Sequence, residues 1–127
     1  MANLRDVTPF LRVPDIKAAI VFFTDTLGFK TGFEGGGYAY VWRDNVAFRM
    51  IEDKPLPPRD EGRYTSYIDV EDVDGLYAEL KPKLDLLPAG HVCAPCDQDY
   101  GQREFTVIGP DGDIIAFGAA IKDVKAS

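Results

Sequence analysis

The chain has 127 residues, 46% of them hydrophobic and 28% charged, and a net charge of −7. That length suits a single domain burying roughly two-thirds of its unfolded surface around an ordinary soluble core. The negative charge argues against nucleic acid and anionic membrane surfaces as partners. The opening MANLRDV lacks the basic region and apolar run of a signal peptide, and no apolar stretch reaches bilayer-spanning length. Two cysteines make no disulfide framework, so a cytoplasmic protein is expected.

The first element is predicted within "TPFLRVPDI", residues 8–16, where alternating residues suit a strand and Asp15 suits a helix N-cap. Ile16, Ala19, Ile20, Phe23 and Leu27 then fall at helical spacing, and Gly28 stands where helices stop in a left-handed conformation. Residues 30–52 read as three strands, with turns at Gly35-Gly36-Gly37 and Asp44-Asn45. The proline- and charge-rich "DKPLPPRDEGR" marks a surface linker.

Next, "TSYIDVEDV" repeats the first pattern, with Asp72 in the place of Asp15. Val73, Leu76, Tyr77 and Leu80 make a second helical stripe, expected to end at Pro82. Phe23 and Tyr77 lie on these stripes and are expected in the core. A short strand is expected near Leu86–Val92. A hairpin over 102–109 and 113–119 follows, turning at Pro110, Asp111 and Gly112. The expectation is an α+β fold: a single domain of two βαβββ modules, about 5–53 and 64–121, joined by a linker at 54–63. A curved mixed sheet would surround a cleft, with the helices outside.

Strand alternation assigns the faces. Leu11, Val13, Val46, Phe48, Met50, Ile68 and Val70 suit the core. Thr8, Phe10, Arg12, Ala47, Arg49, Ile51, Thr65, Tyr67 and Asp69 then face the cleft, as do Glu104, Thr106 and Ala116. Tyr38, Tyr40 and Trp42 share one face. His91, Cys93 and Cys96 in "GHVCAPC" sit in a proline-containing connection with no second ligand pair. The thiols read as small apolar groups, with a zinc or redox role as the alternative.

"AAIVFFTDTLGF", "DVDGLYAEL" and "YGQREFTVIGPDGDIIAFG" together resemble the vicinal oxygen chelate superfamily, and within it the bleomycin resistance branch. The resemblance implies a dimer, domain-swapped, with each cleft shared between two chains. It places the cleft face at Tyr38, Tyr40 and Trp42, and stacking positions at Phe33, Tyr38, Tyr67 and Tyr100. Catalytic members hold a divalent ion with His and Glu. The matching positions here are Thr8, Thr65 and Ala116, which offer two hydroxyls and a methyl. Gly32 stands where a drug-binding relative would have an acidic residue.

The resemblance therefore implies a homodimeric, non-catalytic binder that sequesters a bleomycin-like or other planar, cationic molecule, with no cofactor. Its ligand residues would be Phe33, Tyr38, Tyr40, Trp42, Arg49, Ile51, Tyr67, Asp69, Tyr100 and Glu104. The alternative is a metal-dependent lyase or oxygenase of the same superfamily with displaced ligands, using Glu104 or Asp69.

Overall fold

The computed structural model describes residues 2–53 and 64–121; the expected linker, 54–63, lies outside the described residues. The chain forms two compact units, one on each side of that segment. Among the described residues no helix is long and apolar enough to cross a membrane.

Both modules follow one plan. In module 1, β1 (Phe10–Val13) leads to α1 (Ile16–Val21) and then to a meander of β2 (Lys30–Gly35), β3 (Tyr38–Arg43) and β4 (Val46–Glu52). In module 2, β5 (Thr65–Asp69) leads to α2 (Val73–Leu84), then β6 (Val92–Asp97), β7 (Gln102–Ile108) and β8 (Ile114–Ala120). Each module forms a four-stranded mixed sheet, ordered β1-β4-β3-β2 and β5-β8-β7-β6. The first strand of each pairs parallel with the last, and the other pairs are antiparallel.

The repeat is sharpest at the helix starts. Asp15 caps α1 at φ −136° and ψ 99°, and Asp72 caps α2 at φ −135° and ψ 93°. The Asp15 carboxylate accepts from the Ala18 N–H at 3.1 Å, and Asp72 from the Gly75 N–H at 2.9 Å. Each satisfies a backbone donor that the first helical turn leaves without a partner.

α1 widens into a π-helical segment, Phe22–Thr26, in which both Phe22 and Phe23 are buried. The Thr24 hydroxyl donates to the Ile20 carbonyl at 2.9 Å, giving that carbonyl a side-chain partner where the backbone ladder widens. Gly28 then turns left-handed at φ 78°. A Cβ there would stand 2.8 Å from Arg43 Nη1, which donates to the Leu27 carbonyl. Glycine thus serves both the turn and the cap.

Three expectations fail in module 2. α2 does not stop at Pro82 but runs on to Leu84. Leu80 and Leu84, four residues apart, are both buried, so packing holds the last turn in helical form. Pro82 lacks only one N–H, and the Asp85 and Leu86 N–H groups still bond to the Lys81 and Lys83 carbonyls. Residues 86–91 form turns instead of a strand, and the strand begins at Val92. It carries Cys93, Pro95 and Cys96, which had read as a connection. Proline is tolerated because β6 is an edge strand with a bulge between Cys93 and Cys96.

The modules have separate aromatic cores. In module 1 the Phe23 ring lies 5.1 Å from Phe48 and 5.2 Å from Phe29. In module 2 Phe105 stacks on Phe117 at 4.9 Å and meets Tyr77 edge-on at 5.2 Å. Phe48 and Phe105 are almost wholly buried, and each contributes on the order of 1.5–3 kcal/mol from burial. Phe23 is buried, as its helical spacing predicts, whereas Tyr77 is only half-buried and packs its ring against Phe105 from the edge of the core.

Candidate functional site

Burying one face of each sheet leaves the other open. In β3, Ala39 and Val41 are fully buried, so Tyr38, Tyr40 and Trp42 project from the opposite face. β4 sets Ile51, Arg49 and Ala47 across from them in that order. Phe10 of β1 lies beside Arg49, and Phe33 of β2 beside Tyr40. A bulge between Thr31 and Phe33 of β2 re-aims the Phe33 ring.

The rings form a continuous surface. Phe10 and Phe33 flank Tyr38, with centroids 6.0 and 5.8 Å away. Arg49 donates to the Tyr38 hydroxyl at 2.5 Å, and its guanidinium carbon lies 5.2 Å from the Tyr40 ring. Lys30 Nζ lies 5.3 Å from the Trp42 ring. Both cations therefore polarise aromatic faces. The ring surface lies close over Gly32, where a Cβ would come within 2.9 Å of Tyr40 Cδ2. At the β1–β4 end, Phe10, Arg12, Ile51, Glu52 and Asp53 line a shallow pocket of about 370 Å³. Arg12 Nε donates to Asp53 there at 3.1 Å.

The open face of module 2 is built around a carboxylate. Thr65, Tyr67 and Asp69 project from β5 opposite the buried Ile68. Tyr67 pairs with Ala116 of β8, while Glu104 and Thr106 of β7 face Gly118 and Ala116. The Tyr67 hydroxyl donates to one Glu104 oxygen at 3.0 Å. Tyr100, in the turn before β7, donates to the other at 2.9 Å. Gln102 donates to the Tyr67 hydroxyl at 2.8 Å, completing a chain that fixes both phenols.

The Tyr100 phenol is pushed up to about 12, chiefly by donating to Glu104. Burial raises the Tyr67 phenol, with further upward contributions from Glu104 and Asp69. Both phenols stay protonated and donate to Glu104, whose carboxylate is framed by their rings.

A close approach holds Tyr67 in place. A Cβ built on Gly118 would overlap the Tyr67 hydroxyl oxygen and stand 2.6 Å from its Cζ. Face alternation found Tyr67 and Glu104, and resemblance found Tyr100. Neither found Gln102, Gly118 or the seat at Gly32, because those roles exist only across strands. Arg103, on the other side of β7, is raised by its bonds to Asp74 and Asp97 and ties β7 to α2 and β6.

The donors at Thr8, Thr65 and Ala116, the positions that the resemblance matches to an ion site, do not fit a divalent cation. Thr8 and Thr65 offer neutral hydroxyls, and Ala116, 4% exposed, offers a methyl across from Tyr67. Among the described residues no three His, Cys, Asp or Glu side chains are grouped to hold an ion. His91 is tied elsewhere: its Nδ1 donates to the Ile108 carbonyl at 3.0 Å, fixing the turn before β6.

The model of the glyoxalase/bleomycin resistance protein/dioxygenase superfamily matches residues 6–117. A bleomycin resistance protein of Geobacillus stearothermophilus is 33% identical, over 90% of this chain and 96% of its own length. One from Staphylococcus aureus strain N315 shows the same identity and coverage. Among solved structures, the bleomycin-binding protein from bleomycin-producing Streptomyces verticillus, in complex with copper(II)-bleomycin, superposes with a TM-score of 0.78. It is 25% identical, over 95% of this chain and 100% of that one. A glyoxalase-related enzyme from Clostridium phytofermentans shares the fold at a TM-score of 0.73 and 18% identity, over 94% of this chain and 98% of that one. With the family model spanning both modules and both open faces, the chain belongs to the glyoxalase/bleomycin resistance protein/dioxygenase superfamily.

Proposed function

We propose that this protein binds and sequesters a bleomycin-type antibiotic, a planar and cationic molecule, without converting it. The observation that carries the reading is the Glu104 carboxylate held between the Tyr67 and Tyr100 hydroxyls, an anionic acceptor bordered by exposed rings. A cation placed there meets a fixed negative charge and aromatic faces together, and each cation–ring contact adds on the order of 0.5–2 kcal/mol. On module 1, Phe10, Phe33 and Tyr38 offer flat apolar surface to a planar ring, worth about 0.5–1.5 kcal/mol per pair beyond burial. The likeness to bleomycin resistance proteins over nine-tenths of the chain supports the same ligand class.

The proposed ligand residues are Phe33, Tyr38, Tyr40, Trp42, Arg49 and Ile51 on module 1, with Tyr67, Asp69, Tyr100 and Glu104 on module 2. Binding alone would protect, since a captured drug is withheld from its target. The working form proposed is a cytoplasmic homodimer, checked by sedimentation at micromolar protein.

Titration with bleomycin, followed by calorimetry and by Trp42 fluorescence, tests the reading. Saturable binding at micromolar Kd or tighter is expected, as is recovery of unchanged drug from the complex. No saturation by high micromolar drug, or a chemically altered drug, would refute it.

A further inference from the structure

The bulge in β6 places the two cysteines in an arrangement that their spacing in the sequence conceals. Residues three apart in a regular strand point to opposite faces. Here Cys93 pairs with Thr106 and Cys96 with Glu104, so three steps along β6 match two along β7. Directly opposed residues of an antiparallel pair share a face. Glu104 and Thr106 flank the fully buried Phe105 and project together from the open face. Cys93 and Cys96 therefore project from that same face, and both are exposed. Gln98 Nε2 donates to Cys96 Sγ at 3.2 Å, fixing that sulfur.

A bond between them is reachable by local movement of the strand. Two steps along β7 cover about 6.6 Å, and cysteines facing those positions inherit that separation. Disulfides span Cα separations up to about 6.8 Å and hold their Cβ atoms about 3.5–4.5 Å apart, so closure requires the two side chains to turn towards each other across the bulge. An edge strand with a bulge has no outer neighbour to resist the movement that closure needs.

We propose that Cys93 and Cys96 form an exchange-active dithiol that closes to an intrachain disulfide by reaction with a low-molecular-weight disulfide such as oxidised glutathione. One protein thiolate attacks the small disulfide, forming a mixed disulfide and releasing one small thiolate. The second protein thiolate attacks the mixed-disulfide sulfur on the protein side and releases the other. Two protein S–H groups lose their protons, one protein S–S bond forms, and one small disulfide is reduced to two thiols. The bridge lies beside Glu104, so the oxidation state of the pair is set against the carboxylate that Tyr67 and Tyr100 address.

The test needs no ligand, so its outcome stands apart from the binding proposal. Reduced protein is incubated with oxidised glutathione, quenched by alkylation and read by intact and peptide mass. Wild type is expected to lose two hydrogens, to resist alkylation at both cysteines and to be restored by dithiothreitol. Cys93→Ser and Cys96→Ser should each stop at a stable glutathione adduct. Persistent adducts on wild type, a bridge between two chains, or no reaction while a single-cysteine variant forms its adduct would overturn the proposal. The wild-type result decides even where a serine variant folds poorly.

Discussion

Gly118→Ala isolates the positioning of Tyr67 from its chemistry. Gly118 lies in β8 without a positive φ, so alanine brings no backbone strain, and its strand propensity is if anything better. The added methyl carbon, however, occupies the place of the Tyr67 hydroxyl. The ring must swing away, breaking its bond to Glu104 and releasing Gln102. Each net hydrogen bond is worth about 0.5–1.5 kcal/mol, and at this half-exposed site the lower figure applies. The displaced ring forfeits about 0.5–1.5 kcal/mol of stacking on a bound planar group. Together about 1–2 kcal/mol of binding energy is lost, or roughly 5- to 30-fold in Kd.

Calorimetric titration of wild type, Gly118→Ala and Tyr67→Phe with bleomycin separates the two contributions. Tyr67→Phe keeps the ring and loses only the bonds, so it should bind between the other two. The melting temperature should change little, because Tyr67 is 43% exposed and its bonds lie at the surface. Wild-type affinity in Gly118→Ala would refute the reasoning, whatever the affinity of wild type itself proves to be.

On module 1, Gly32→Ala should displace Tyr40 and weaken the same titration about 3- to 10-fold, and Gly32→Glu more, since the larger side chain must also leave the ring surface. Asp15→Ala and Asp72→Ala should each cost about 1 kcal/mol in urea unfolding, and by similar amounts, because the two caps share one geometry. Absorbance titration of the tyrosinates should find Tyr100 ionising near 12, about two units above an ordinary phenol. Since the folded value is the higher one, this contribution to stability is complete below about pH 10 and is lost as pH rises towards 12. Glu104→Gln should return Tyr100 towards the ordinary range yet leave Tyr67 raised, since burial is the larger cause there. Unchanged titration of Tyr100 in that variant would contradict the hydrogen bond.

The legible parts of the fold were those set by local chemistry. Asp15, Gly28 and Asp72 announce helix boundaries because capping acts within a few residues. Alternation along residues 46–51 separated the open face of β4 from its core face because burial has the period of a strand, while resemblance placed Tyr38, Tyr40 and Trp42 on the open side. Where non-local packing prevails, local rules mislead. Pro82 reads as a stop, but burial of Leu84 outweighs one missing hydrogen bond. Pro95 reads as loop because the sequence does not show that β6 is an edge. The glycine seats were illegible for the same reason: a small residue advertises flexibility, while the ring lying over it comes from another strand.

The matched capping angles at Asp15 and Asp72 show how independently the two surfaces can vary. One plan used twice keeps its capping angles to within a few degrees while its two open faces are decorated in opposite senses, cations over rings in one and a carboxylate held by phenols in the other. Since each copy encloses its own nucleus of phenylalanines, selection can rewrite one surface without re-engineering the interior of its twin.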